Sequence, residues 1–145
     1  MQDVSATGIR ATVQASITFP AGFSVTAFAD DADPITSADL QIVEHGMSVN
    51  GDLVTWSSPK AIPMTLNVIA NTEEDKNLDI LYNANRVAKN KISVRDIITI
   101  VLTYPDGTTK TATMGKITNA TPIRDVASNG KIKSRAYGFI FEQLI

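Results

Sequence analysis

The residues best suited to chemistry lie near the end of the chain, in the segment RAYGFIFE (135–142). Four of its residues match a pattern typical of RNA-recognition strands: Arg135, Tyr137, Gly138 and Phe139. Lys131 and Lys133 precede the segment and, on an extended chain, would share a face with its aromatic side chains. The bases of single-stranded nucleic acid can stack on a positive, aromatic face of this kind.

The rest of the segment favours a structural role over nucleic-acid binding. Ala136 and Glu142 depart from the RNA-recognition pattern, and a formal net charge of −2 gives no long-range attraction for phosphate. We therefore expect a sheet strand with one face that changes from basic to aromatic as it enters a core. On its other face, Ala136 and Gly138 are small enough to let a further layer approach closely.

The other candidates for chemistry lack the spacing that their chemistry requires. His45 is the only histidine, and in the segment VEHGM it is predicted to be an ordinary strand residue. The carboxylates of DDADP (30–34) lack the spacing and the bidentate acid of a calcium loop, which favours a solvated turn. The segments MGKI and NGKI lack the remaining residues of a phosphate-binding loop. We expect no enzymatic activity, no metal site and no cofactor.

The composition is consistent with a single domain that covers residues 1–145. The sequence contains no cysteine, which excludes disulfides and thiolate metal sites. It shows neither the pattern of a signal peptide nor an apolar run of transmembrane length, so we expect residence in a cytoplasm.

Charge is distributed unevenly along the chain. Residues 1–55 contain seven acidic residues against Arg10 alone, whereas residues 56–145 contain twelve basic residues against eight acidic ones. The two parts could form two functional faces, or they could neutralise each other within one fold. Interspersed opposite charges are the ordinary state of a protein surface, which favours the second interpretation.

Most of the sequence is predicted to be β-structure. Apolar and polar residues alternate with a period of two in three clear segments: 9–19, 23–29 and 61–71. Pro20 and Gly22 are expected to separate the first two. Asn50-Gly51 predicts a tight hairpin turn within residues 40–56.

Further turns at 104–107 and Asn129-Gly130 divide the C-terminal part of the chain. We predict a mainly β fold, a β-sandwich or partial barrel of six to eight strands with one flanking helix.

That helix is predicted at about residues 72–90. Thr72 is a suitable N-cap, the first turn is acidic and the C-terminal end is basic, as the helix dipole favours. The apolar arc is roughly 220° wide, whereas a helix on one sheet needs about 100°. The arc consists of Leu78, Ile80, Leu81, Tyr82, Ala84, Val87 and Ala88. The helix is expected either to cover its sheet and also contact a second body, or to lie deeply beneath loops.

The order of these elements resembles the inner tail tube proteins of contractile-tailed bacteriophages. The resemblance covers most of residues 25–142 and rests on ordered segments: DDADP, the long hairpin, PKAIPMTLNVIANTEEDKNLDILYNANR entering the helix, DGTT, GKIT and YGFIFE. In that family, and in the related type VI secretion tubes, six copies form a ring around a β-lined channel. Rings stack inside a sheath, and DNA passes through the lumen.

The resemblance implies a virion structural protein that is assembled in the bacterial cytoplasm. Its implied partners are copies of itself together with the tail sheath, baseplate and tail-terminator proteins. DNA would pass through the lumen without specific binding, so a lumen of negative or neutral potential is expected. In that arrangement Lys131, Lys133 and Arg135 would be mostly paired or turned elsewhere.

The resemblance also implies candidate residues for subunit interfaces. The hairpin at 40–56 would lie across the next ring, and the helix would contact a neighbour. These candidates are Asn50, Gly51, Trp56, Leu78, Leu81, Tyr82, Val87, Lys131, Lys133 and Arg135.

Two other classes of protein remain compatible with the sequence. A secreted or surface fibre or pilus-type subunit would also be rich in β-structure and free of cysteine. A small monomeric β binding module would have a similar strand content. Ring symmetry, the lumen-facing residues and the choice between tube body, baseplate and terminator subunit are left open.

Overall fold

The structure, a computed structural model, describes residues 2–145 and contains nine strands and one helix across that range. The elements are β1 (Arg10–Ala15), β2 (Phe19–Val25), β3 (Ile35–Thr36), β4 (Val43–Met47), β5 (Leu53–Ser57), β6 (Ile62–Val68), α1 (Glu73–Asn85), β7 (Ile98–Thr103), β8 (Thr109–Ala120) and β9 (Arg135–Leu144). The predicted mainly β fold with one flanking helix is confirmed.

Seven strands form one antiparallel sheet in the order β2-β1-β7-β8-β9-β6-β3. The sheet curls into a partial barrel. The pairing of β8 shifts twice, and the first shift coincides with Met114, whose φ is +55°. Because β-bulges bend a strand and increase its twist, these irregularities favour the curl.

The chain that follows β2 closes part of this barrel. Phe28 pairs with Val68 of β6, so the continuation of one outer strand bonds to a strand near the other edge. The Ala29 amide donates to the Asn67 carbonyl at 3.0 Å, and the Ile69 amide donates to the Ala27 carbonyl at 2.9 Å.

The core lies between the concave face of the sheet and α1. Alternate residues of the central strands are buried there, because only one face of each strand is covered. The core includes Ala11, Val13, Leu66, Val68, Ile98, Ile100, Tyr137, Phe139 and Phe141. Leu78 and Leu81 of α1 are fully buried against these strands. Each such leucine contributes about 1.5–3 kcal/mol of hydrophobic stabilisation.

The helix begins as predicted but ends earlier. The Thr72 hydroxyl accepts a hydrogen bond from the Asp75 amide at 3.2 Å, which satisfies one free donor of the first turn. The helix ends at Asn85 rather than near residue 90, because the backbone of Arg86 is extended, with φ −84° and ψ 131°. The Asn85 side chain bonds to Asp96, which holds the following segment against the end of the helix. Lys91 compensates by donating to the carbonyls of Asn83 and Arg86.

Three details of the strand prediction were wrong. Pro20 and Gly22 lie inside β2, where proline is tolerated because β2 is an outer strand of the sheet. Within residues 2–145 the structure has nine strands, one more than the largest number predicted. The extra strand is β3, which has only two residues and is too short to show alternation. Lys131 and Lys133 precede β9 instead of extending it, so the basic residues do not share a strand with the aromatic ones.

Candidate assembly surfaces

Strands β4 and β5 form a hairpin that stands apart from the main sheet. Within residues 2–145, they pair only with each other, from Val43 opposite Ser57 to Met47 opposite Leu53. Every residue of β5 is exposed. Because an isolated two-stranded hairpin is at best marginally stable in water, this element needs something to pack against.

Both faces of this hairpin are apolar. Cross-strand partners share a face, so Met47 and Leu53 lie together on one side, each 65% exposed. Trp56 and Val54 lie on the other side, 53% and 52% exposed. The Trp56 ring borders Gly46, whose lack of a side chain leaves the indole uncovered from that direction. Neither face therefore supplies a core for the other.

The tip of the hairpin differs from the predicted tight turn. Of Asn50 and Gly51, only Gly51 has a positive φ, +87°. The Gly51 amide donates to the Ser48 carbonyl at 3.0 Å, and the Ser48 amide donates to the Asp52 carbonyl at 2.8 Å. This is a three-residue loop with a left-handed glycine at its end, a common hairpin connection. Asn50 and Gly51 are exposed at the tip, as predicted.

The root of the hairpin carries an ion pair. Lys60 Nζ lies 3.1 Å from Glu44 Oε1 on the surface. The Gln41 side chain also donates to Glu44, at 3.3 Å, and to the Val43 carbonyl, at 3.2 Å. These contacts fix the direction in which the hairpin leaves the sheet, although exposed pairs stabilise little.

A second exposed apolar surface lies where α1 ends. We define the helix-end patch as residues 86–97 together with the turn 16–18. Its exposed apolar residues are Ile17, Val87, Ile92, Val94 and Ile97. Ile92 is 85% exposed and Val87 is 70% exposed. The patch is also basic, through Arg86, Lys89, Lys91 and Arg95.

Asp96 holds the two parts of the helix-end patch together. Its fully buried carboxylate accepts hydrogen bonds from the amides of Ile17 and Thr18 at 2.8 and 3.0 Å. It also accepts from the Asn85 side chain at 2.9 Å. Burial alone raises the pKa of Asp96, but the hydrogen bonds from Thr18, Asn85 and Ile17 outweigh it and hold the pKa below its usual value. The patch is therefore a fixed surface.

A buried ionic cluster joins α1 to β9. Arg135 lies 3.5 Å from Asp75 and 3.0 Å from Asp79, and it donates to the Thr121 carbonyl at 2.7 Å. The Tyr137 hydroxyl donates to the Asp75 carboxylate at 2.8 Å. Burial and the neighbouring Asp75 raise the pKa of Tyr137, so the hydroxyl stays protonated as a donor.

The structure places the predicted interface residues in three different environments. Asn50, Gly51, Trp56 and Val87 are exposed, and Tyr82 is half-buried. Leu78, Leu81 and Arg135 have almost no accessible surface in the single chain. They pack or pair within the chain. The burial of Arg135 could have been predicted from the sequence. It lies two residues before Tyr137 and therefore on the same face of the strand as that buried side chain.

The basic residues before β9 are also placed by the structure. Lys131 pairs with Asp30 at 2.8 Å, and Ser134 bonds to Asp31. The hydrogen bond that Lys131 donates to Asp30 raises the pKa of Lys131, and the hydrogen bond that Ser134 donates to Asp31 lowers the pKa of Asp31. Lys133 is exposed. The acidic loop and the basic loop thus neutralise each other here, as the sequence favoured.

The aromatic side chains that suggested nucleic-acid binding are buried in the core. Tyr137, Phe139 and Phe141 are at most 2% exposed, so bases cannot stack on them. The Gly138 position is filled by the Asn119 side chain, not approached by a further layer. His45 lies on exposed β4.

No cluster of three or more potential metal ligands occurs within residues 2–145. In the same range, no helix has the length and apolar character needed to cross a membrane.

Comparison with known proteins gives one family and several similar folds. The model of the family described as tail fiber protein gp32 matches residues 2–145. No curated protein sequence matches the chain.

Three solved structures cover nearly the whole chain. The sheath/tube terminator of the extracellular contractile injection system PVC is 14% identical with a TM-score of 0.62, covering 100% of this chain and 96% of that one. The anti-feeding prophage tube terminating cap is 14% identical with a TM-score of 0.56, covering 100% and 92%. A chain of the PVC sheath-tube complex is 18% identical with a TM-score of 0.51, covering 99% and 91%. At these identities the similarity concerns the fold.

Proposed function

Since the chain belongs to the tail fiber protein gp32 family, we propose that it is a structural tail subunit that joins copies of itself into rings on a tube. The observation that carries this proposal is the hairpin of β4 and β5, whose two apolar faces are uncovered in the single chain. Burying such a surface against another copy supplies the hydrophobic gain that the isolated hairpin lacks.

The fold supports a tube-type ring over an elongated fibre. The similar solved structures come from tube terminators and a sheath-tube complex. Assembly into stacked, hexameric rings of a contractile tail is the arrangement that we propose, with sheath, baseplate and terminator proteins as further partners. The candidate contact residues that remain accessible are Asn50, Gly51, Trp56, Tyr82, Val87, Lys131 and Lys133.

We place the polar face of the curled sheet toward the lumen. This face opposes the core and carries threonines on three neighbouring strands, among them Thr12, Thr103 and Thr111. Free cations in the lumen would retard a passing DNA. Of the three basic residues considered for this role, Lys131, Lys133 and Arg135, two form contacts within the chain. Arg135 is in the core and Lys131 is paired with Asp30. This supports a conduit that does not bind DNA specifically, and a role without catalysis.

A terminating ring at the end of the tube is a second candidate. The two terminators have higher TM-scores against this chain, 0.62 and 0.56, than the sheath-tube chain at 0.51. A tube body subunit polymerises along the axis, whereas a terminator stops at one ring. The two roles therefore differ in whether rings stack.

Negative-stain electron microscopy and light scattering of the purified chain test the proposal. We expect hollow rings, which are stacked for a tube body subunit and single for a terminator. An elongated fibre would contradict the tube-type ring, and a chain that stays monomeric at every concentration would contradict self-assembly altogether.

A further inference from the structure

Building on the proposed self-assembly, we infer that the hairpin of one copy docks on the helix-end patch of the next copy. The contact joins two different surfaces of the same chain. The hairpin contributes Leu53, Trp56 and the tip, and the patch contributes Val87 and Ile92.

Both surfaces have exposed apolar side chains that a contact between them would bury. The hairpin is a thin element with uncovered side chains on both faces, Leu53 on one and Trp56 on the other. The helix-end patch is a fixed surface, because Asp96 ties the turn 16–18 to the end of α1. A hairpin that lies with one face on a rigid apolar surface buries apolar area of both partners without rearranging either.

Charge provides the argument for this pairing over others. Residues 39–57 contain Asp39, Glu44 and Asp52 and no lysine or arginine. Glu44 is paired with Lys60, which leaves Asp39 and Asp52 for a partner. The hairpin therefore has an acidic residue at its tip, Asp52, another just before its first strand, Asp39, and no free basic residue.

The patch presents the opposite charge. Residues 86–97 contain four basic residues, and their single acid, Asp96, is buried and hydrogen-bonded. Lys91 is used by the helix carbonyls, which leaves Arg86, Lys89 and Arg95 exposed. Two hairpins would repel each other, as would two patches, so complementary charge favours hairpin on patch.

This pairing fixes the type of assembly. A contact between two different surfaces is heterologous, and each copy then has one hairpin to offer and one patch to receive. Repetition of that contact closes a ring or continues from ring to ring. A contact of hairpin with hairpin would instead stop at a dimer.

The absence of cysteine allows a direct test by disulfide trapping. Asp52→Cys and Lys89→Cys are made as separate variants, one with a mass tag, and a 1:1 mixture is oxidised under assembly conditions. We expect the mixed disulfide to predominate over both homodimers. Lys116→Cys, an exposed lysine on β8, replaces Lys89→Cys in the matched control and should give no mixed product.

Charge reversal provides the second arm. Asp52→Lys and Lys89→Glu should each lose assembly in light scattering, and the double variant should recover it. Circular dichroism verifies that each variant is folded. Ring formation by the parent chain reports on the proposed function, and trapping reports on the contact.

The outcomes separate the two claims. If the parent chain assembles but trapping gives hairpin homodimers, or equal products with Lys116→Cys, the inferred contact is overturned while the proposed function stands. If the parent chain does not assemble, both are overturned.

Discussion

The curled sheet and the projecting hairpin are both built from antiparallel strands, but they differ in how far their apolar side chains are buried. The sheet buries one face of its central strands, and its buried charged residues Asp75, Asp96 and Arg135 are paired or hydrogen-bonded within the chain. The hairpin leaves both faces in solvent, with Trp56 and Leu53 more than half exposed. A chain that can build the first region has no need of the second for its own stability. This contrast supports the proposal that the hairpin contacts another copy of the chain.

The largest effect on the stability of the sheet region is expected from a change in the buried ionic cluster. Arg135→Leu leaves Asp75 buried without its cationic partner, and we expect a loss of about 3–5 kcal/mol in the free energy of unfolding. Urea unfolding measures it. Exposed Arg124→Leu is the control and should change the free energy by no more than about 0.5 kcal/mol. Equal effects of the two variants would show that Arg135 is not a structural residue.

Acid should weaken the sheet region through Asp96. The folded pKa of Asp96 lies below its usual value of about 3.9, so its stabilisation is present above about pH 4 and is lost as pH falls through the folded pKa. The contribution at neutral pH is about 1.5–3 kcal/mol. Asp96→Asn should be less stable at pH 7 and depend less on pH from 5 to 2. An unchanged pH profile would contradict this role.

The helix start gives a smaller effect. Thr72→Ala removes the acceptor of the Asp75 amide and should cost about 1 kcal/mol of unfolding free energy. Thr72→Ser, which keeps the hydroxyl, is the matched variant and should stay close to the parent chain. Thermal unfolding compares the three, and a Ser variant as unstable as the Ala variant would argue against the cap.

The smallest effect on folding is expected in the hairpin. Trp56→Ala should change the unfolding free energy by no more than about 0.5 kcal/mol, because the side chain is exposed in the single chain. The same substitution should weaken assembly, since it removes a large apolar contact. A large loss of stability in the monomer would mean that Trp56 packs within its own chain.

Local pattern predicted most of the sheet but not how its parts meet. The Thr72 cap and the part of the alternation at 9–19 that forms β1 were visible because they depend on neighbours in sequence, but the turn at 16–18 inside that segment was missed. Pro20 was predicted to separate strands, yet the structure places it in an outer strand, a position that only the finished sheet defines. The helix ends at Asn85, whose side chain bonds to Asp96, eleven residues later. Such long-range contacts are not encoded in any short window.

The candidate surfaces were predicted in part for the same reason. The exposed hairpin tip at Asn50 and Gly51 followed from turn chemistry, and Trp56 from its place in the hairpin. Leu78 and Leu81 belonged to an arc too wide for one sheet, but the sequence did not tell which side of that arc was buried. The structure shows that the outward residues are Ile80 and Val87.

The most direct test of the account removes the hairpin. Residues 43–57 are replaced by a short Gly-Ser linker, and the mass of the parent chain and of the variant is measured by light scattering at matched concentration. The account predicts a parent chain that forms rings and a variant that is monomeric, folded and cooperative in thermal unfolding, with a midpoint that does not depend on concentration. A variant that still forms rings, or one that no longer folds, would contradict it.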